Sequence, residues 1–511
     1  MSKATTTQSA QAAPGAAEIR RHRHLIAGQS RAEGGETIER RSPVDGRVLA
    51  EFALGTAADV RRAVAAARSA FDGGEWPRIG GMDRGAVLYR LAGLIRGNRE
   101  ELARLDAEEV GKPMRVARGD IDGAAGHTEF AAGLAGTVHG DIHTNLGDDF
   151  TGLIMREPVG VVAVIVPWNF PALILMQKLA FALAAGCTAI VKPSEFTSGS
   201  ALRIAELAAD AGLPAGSLNV VTGDGRTGQA LVESDHVDLV SFTGSTATGR
   251  RVLAASEGNL KRVSLELGGK AAQIVFADAD LEDAVEGVLF GAVFNQGECC
   301  VAGARLLVQD EVADEFLSRL VARAEKLRLG GPDNEDADLG ALIHPEHLEK
   351  ALGHIARARE QGARVLIGGE RVEGERHGGG CFLAPTVLDR VGAVTSAFQE
   401  EIFAPVLTVT RFSDAQEAVA LANAVRYGLG NTIWTKDVDK VLDVSRALKS
   451  GTVWVNCSID GAPQLPFGGV KASGYGREMG RAGLEEFTEL KAVQIRTGRR
   501  AGTFGLSPGE G

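Results

Sequence analysis

Val161-Val-Ala-Val-Ile-Val166, running on into Pro167-Trp-Asn-Phe-Pro171, is the stretch whose reading decides the fold. The run is apolar and mostly β-branched, with no polar alternation. Such a run suits a strand buried on both faces. Related runs follow at Thr188-Ala-Ile-Val191, Leu218-Asn-Val-Val221, Val237-Asp-Leu-Val-Ser-Phe242 and Arg262-Val-Ser-Leu-Glu266. Helical patterns lie between them at 171–185, 198–211, 225–233 and 245–255, with Gly186 and Gly212 as stops. Strand and helix in alternation predict a doubly wound parallel sheet, which binds ligands at the carboxyl ends of its strands.

Outward from this centre, the alternation restarts beyond Gly268, with strands at 272–276 and 304–308 and helices at 281–294 and 312–328. A second α/β domain is expected there. Upstream, a helix over 54–71 is entered through Thr56, with Asp59 three residues on as in a capping box. Helical spacing continues through 84–97, 99–110 and 116–136. Residues 141–157 and 485–498 read as β-rich segments outside both domains, edge strands of the kind that pair with another subunit. Residues 1–19 and 499–511 lack periodicity and are expected to be disordered tails.

The whole chain has 511 residues, 44% apolar and 24% charged, so it is long enough for large cores and ordinary in composition. Its 66 glycines lie between periodic segments and suggest tight turns and close backbone approaches to ligands. A net charge of −11 without a Lys/Arg cluster argues against nucleic acid. The N-terminal stretch has no apolar core of a secretory signal, and Val159–Val166 is far too short to span a membrane. Five scattered cysteines suit neither a disulfide framework nor, without a CxxC, a metal site. A soluble protein of a reducing cytoplasm is expected.

Several short motifs can carry chemistry. Cys299-Cys300 follows Phe294-Asn-Gln-Gly-Glu298 in a glycine-containing break after a helix. It reads either as two buried small residues or as a site for a nucleophilic thiolate. Glu266 sits among apolar residues at a strand end. It reads as a surface charge or, if buried, as a carboxylate with the raised pKa of a general base. Phe242-Thr-Gly-Ser-Thr-Ala-Thr-Gly249 joins a strand to a helix and can bring backbone close to a pyrophosphate, though it is not the GxGxxG pattern. Lys192 and Glu195 end a strand, as a surface pair or as ribose ligands. Asn169 is a turn amide or an oxyanion donor.

Together these stretches resemble the NAD(P)-dependent aldehyde dehydrogenase superfamily over about residues 20–498. The carriers are PWNFP (167–171), KPSE (192–195), FTGSTATG (242–249), LELGGK (265–270), FNQGECC (294–300), EEIFAP (400–405), WVN (454–456) and PFGGVKASGYGRE (466–478), in the family's order. The resemblance implies an enzyme that oxidises a small-molecule aldehyde to a carboxylic acid through a cysteine thiohemiacetal and thioester. NAD is its expected cofactor, with NADP as a weaker alternative. Cys300, rather than Cys299, matches the nucleophile. Glu266 matches the deacylating base and Asn169 the oxyanion ligand. Lys178 and Glu478 match a proton relay. Lys192 and Glu195 match adenosine-ribose contacts, Ser245 a pyrophosphate contact, Glu401 a nicotinamide-ribose contact and Phe403 the nicotinamide packing. Val166, Pro167, Trp168, Gly225, Phe242, Gly244, Gly249 and Leu267 complete the expected cofactor site.

The implied organisation is a dinucleotide-binding domain of residues 20–140 and 160–266, a catalytic domain over 267–480, and oligomerisation segments at 141–159 and 481–498, in a homodimer or homotetramer. Three positions depart from the common pattern: Glu298 for Gln, Ala404 for Gly, and Gln177 where members with bulky or cationic substrates carry an aromatic residue. The Cys457–Gly461 loop is also non-aromatic, and Trp454 matches no position of an aromatic box. A pocket short of aromatic walls is therefore expected, one that favours neutral aldehydes over betaine aldehyde, unless loops not placed by the sequence supply aromatics such as Phe290 or Phe294.

Overall fold

The computed structural model describes residues 19–31, 35–374 and 379–497. The expected tails lie outside these, apart from Ile19, which directly precedes the strand Arg20–His22.

Among the described residues, the run Val161–Ile165 forms the middle of an eight-stranded sheet and is buried throughout. The strand order is Gly474–Tyr475, Arg262–Glu266, Leu239–Thr243, Val161–Ile165, Thr188–Lys192, Leu218–Val220, His24–Ile26, Gln29–Arg31. The five central strands are parallel, as the alternation predicts. The edges differ: Gly474–Tyr475 and His24–Ile26 pair antiparallel, so both ends of the chain close a sheet that the middle of the chain builds. Such short edge strands carry too few residues to show a period.

The connecting helices fall at Pro171–Ala185, Gly199–Asp210, Gly225–Val232 and Thr246–Ala255. Pro171 starts the first, where its missing N–H costs nothing, and Gly186 ends it with φ 98°. Upstream, Thr56 and Asp59 make the reciprocal capping bonds at the start of Ala57–Asp72. A second, seven-stranded sheet holds Ala272–Val275, Arg305–Gln309, Val406–Phe412 and Gly430–Trp434 at its centre, all parallel. The helix expected at 312–328 begins earlier, at Asp310, and ends at Ala324.

The segment 141–157 is two strands, Asp141–His143 and Phe150–Pro158, divided by a turn through Gly147 at φ 108°. The segment 485–498 begins as the last residue of the helix Gly480–Glu485 and becomes a strand only at Thr488–Arg496. Thr488–Arg496 pairs antiparallel with Phe150–Pro158 along its whole length, giving a separate three-stranded sheet.

Candidate active site

A cavity of about 870 Å³ lies against the carboxyl end of the first sheet, where its topology reverses around Val161–Ile165. Pro167, Trp168, Asn169, Gly244, Ser245, Glu266, Leu267, Cys300, Glu401, Phe403 and Glu478 all line it. Residues scattered over three hundred positions thus meet because each follows a strand end or a tight turn.

The segment before Cys300 has an unusual backbone. Asn295, Gln296 and Gly297 have φ of 51°, 48° and 72°, three left-handed residues in succession. Only glycine fits at 297, where a Cβ would lie 2.3 Å from the Ala404 carbonyl. The turn is held by Asn295, whose amide donates to the carbonyls of Asn169 and Glu298 at 3.0 and 3.1 Å. Asn169 donates one amide N–H to the Glu298 carbonyl at 2.9 Å, leaving its second. Lys112 donates to the Asn169 carbonyl and to Asp120, both at 2.7 Å, with its ammonium over the Phe170 ring.

Both Cys299 and Cys300 line the cavity, Cys299 buried at 4% exposure and Cys300 half-buried. Contact with the Cys299 thiol, burial and the carboxylates of Glu266 and Glu401 hold the Cys300 thiol well above its usual range. Neither carboxylate oxygen of the buried Glu266 has a hydrogen-bond partner. Burial, and then the charge of Glu478, push its carboxyl well above the usual range. Glu478 in turn pairs with buried Lys178, which also donates to Ser241 at 3.1 Å. Glu298 is wholly buried; burial pushes its carboxyl up to about 8, although it accepts from the Ile343 N–H and the Gln296 amide.

At the cavity's other end, Ser245 caps the helix Thr246–Ala255, so the helix N-terminus and side-chain-free Gly244 adjoin the space. One oxygen of Glu401 accepts from the Gly269 N–H at 3.0 Å; the other takes no hydrogen bond from a described residue. Phe403 has φ 61°, its ring edge-on to Trp168, its carbonyl accepting from His347 at 2.7 Å.

The remaining expected residues lie around this space rather than on its surface. Lys178 stands behind Glu478. Lys192 and Glu195 form an ion pair at 3.6 Å past the neighbouring strand, and Val166 donates its N–H to the Lys192 carbonyl. Phe242 packs beneath Gly244, and Gly249 allows Leu267 to approach the helix. Gly225 begins the next helix with open space around its α-carbon.

The expected shortage of aromatic walls is wrong. Phe170, Phe290, Phe294, Trp454 and Phe467 all line the cavity. Phe170 stacks on Phe294 with centroids 5.8 Å apart, and Phe290 leans on Phe294 at 4.9 Å. Helix Leu281–Val293 and the turn after it deliver two of these rings, which only tertiary packing reveals. Lys112, His127 and His347 also escaped sequence reasoning, for none belongs to a quoted motif, and Asn295, although within FNQGECC, gave no sign that its amide holds the turn.

Residues 30–493 match the sequence model of the aldehyde dehydrogenase family. The chain belongs to that family. Among relatives of this aldehyde dehydrogenase, the NADP/NAD-dependent aldehyde dehydrogenase PuuC of Escherichia coli is 44% identical, over 90% of this chain and 92% of its own length. The structure of an NAD-dependent aldehyde dehydrogenase from Sinorhizobium meliloti superposes with a TM-score of 0.93 at 46% identity, covering 95% of this chain and 96% of that one. Betaine aldehyde dehydrogenase from Staphylococcus aureus, solved in complex with NAD+, superposes at 0.93 with 37% identity, covering 94% and 96%.

Proposed function

We propose that this aldehyde dehydrogenase oxidises an aldehyde to its carboxylic acid with NAD, using Cys300 as nucleophile, Asn169 as oxyanion ligand and Glu266 as the base that activates water. The observation that carries this reading is the meeting of those three side chains in one cavity that also adjoins a capped helix N-terminus. The residues present fit the cofactor. Glu401 offers a carboxylate oxygen that takes no hydrogen bond from a described residue, Gly244 leaves the helix N-terminus accessible, and buried Lys192 pairs with Glu195 at 3.6 Å. Bound NAD supplies the hydride acceptor.

Each protein step has a physical basis. Glu266 first takes the Cys300 thiol proton and hands it on through the Lys178–Glu478 pair; the sulfur then bonds to the aldehyde carbon as the carbonyl π bond opens, and the oxygen takes up negative charge. The second N–H of the Asn169 amide and the Cys300 backbone N–H, which makes no hydrogen bond to a described residue, are free to accept that charge. Loss of hydride leaves a thioester on Cys300. Glu266, desolvated and with both oxygens unbonded, then takes a proton from water as the water attacks the thioester. The Lys178–Glu478 pair beside it passes that proton outward.

Glu195 is read, from the family resemblance, as a ligand of the adenosine-ribose hydroxyls, so NAD is preferred over NADP, whose phosphate it repels. The first sheet is read as the cofactor domain and the second as the catalytic domain. The sheet of 141–143, 150–158 and 488–496 is read as the surface through which copies assemble into a dimer or tetramer in the cytoplasm. The appearance of NADH absorbance with an aldehyde panel, with and without coenzyme A, tests the reaction. Turnover that required coenzyme A would assign an acylating enzyme instead.

A further inference from the structure

The substrate side of the cavity contains one polar feature among its rings. His127, on the helix Met114–Ala135, and Gln177, on Pro171–Ala185, both line the space and are bonded to each other, Nε2 to Nε2, at 3.3 Å. Two nitrogens can share that bond only if one accepts. Gln177 Nε2 has only donors, so His127 Nε2 is the acceptor and its proton resides on Nδ1. Burial lowers the His127 pKa to about 4, which keeps the ring neutral and able to accept near neutral pH. The bond fixes the carboxamide so that Oε1 is its remaining polar atom, and this oxygen takes no hydrogen bond from a described residue. It is an acceptor without a donor, set in a largely apolar pocket.

The surrounding shape limits what reaches it. On the same helix, Gly119 and Gly123 line the cavity at one-turn intervals before His127. A Cβ at Gly119 would meet nothing within 4 Å, so the space beside the helix is open there, whereas one at Gly123 would lie 2.8 Å from Leu173. The rings of Phe170, Phe290 and Phe294 line the same space. Stacked rings beside an open stretch of helix suit a flat body, since aromatic groups gain by offset stacking.

Building on the aldehyde oxidation proposed above, we propose that the His127–Gln177 pair selects aromatic aldehydes bearing a hydroxyl group, which donates to Gln177 Oε1. An apolar analogue of the same size leaves that oxygen buried under the substrate without a donor, which is the kind of loss that gives strong discrimination.

The test compares 3- and 4-hydroxybenzaldehyde with 3- and 4-methylbenzaldehyde, since hydroxyl and methyl are similar in size. The wild-type enzyme is expected to favour at least one hydroxyl isomer by about tenfold or more in kcat/KM, with the difference in KM. In Gln177→Met, of similar length and apolar, that ratio is expected to fall to about one or to invert. Comparing ratios between enzymes cancels the intrinsic reactivity of each ring. Equal or methyl-favouring ratios for both isomer pairs in the wild type overturn the inference while leaving the dehydrogenase reading intact. So does a hydroxyl preference that survives in Gln177→Met. Absence of NADH with every aldehyde overturns the dehydrogenase reading, and this inference with it. The wild-type comparison stands even if the variant misfolds.

Discussion

Cys299 and Cys300 are chain neighbours that both line the cavity, the first buried and the second half-buried. Cys300→Ala is expected to abolish dehydrogenase activity, whereas Cys299→Ala retains most of it, as NADH formation would report. Glu266→Gln should slow steady-state turnover by ~10²–10⁴-fold while a thioester still accumulates, visible by intact-protein mass spectrometry. Because the Glu266 carboxyl is raised, its basic form develops only above the usual carboxylate range. The kcat profile of the wild type should therefore rise with pH well past pH 5, and a flat profile there would exclude Glu266 as the base. Glu298 gives a second pH effect, on stability. Its folded-state pKa, near 8, exceeds its unfolded value, so the folded state binds the extra proton. That stabilisation is full below the unfolded pKa and is lost as pH rises through about 8. Glu298→Gln should remove this slope and raise stability at pH 9 by of order 1–3 kcal/mol, as denaturant melts at two pH values would show.

At the scale of the element, the turn Phe294–Gly297 decides where Cys300 lies. Gly297→Ala adds a Cβ to a left-handed residue and presses it on the Ala404 carbonyl. A loss of several kcal/mol is expected if the turn holds its shape, together with falling kcat. Thermal unfolding and turnover measured together would show both, and an unperturbed variant would mean that the turn is not under strain. The glycine was legible as a break in the sequence, but the left-handed Asn295 and Gln296 before it were not, since glutamine has no such preference and an asparagine, though it tolerates positive φ, is far more often found elsewhere. The central strands were legible because a strand buried on both faces leaves an uninterrupted apolar run. The motif residues at the strand ends were legible by resemblance. The aromatic walls were not: Phe290 lies on a helix and Phe294 in the turn after it, whose orientations depend on packing, and Trp454 on a strand of the second sheet. Lys112 gave no signal either, because a lysine buried on a carbonyl and a carboxylate looks in sequence like any surface lysine.

For the whole molecule, the separate sheet leaves Ile142 and Leu490 exposed at 64% and 61%, on the strands that form its two edges. If copies assemble there, Leu490→Asp should shift the enzyme to a smaller species in light scattering after size exclusion, while single-subunit turnover persists at reduced stability. An unchanged mass would place the assembly surface elsewhere. The edge strand Gly474–Tyr475 has a different consequence. It pairs with Leu265 and Glu266, and Glu478 follows it into the cavity, where it meets Lys178. During synthesis, Asn169, Glu266 and Cys300 all leave the ribosome long before these residues do. A nascent chain can form the central parallel strands early, yet it cannot complete the pocket until residues 474–478 have been made. Chains cut short before Glu478 should thus be inert rather than uncontrolled oxidants, since that stretch closes the site.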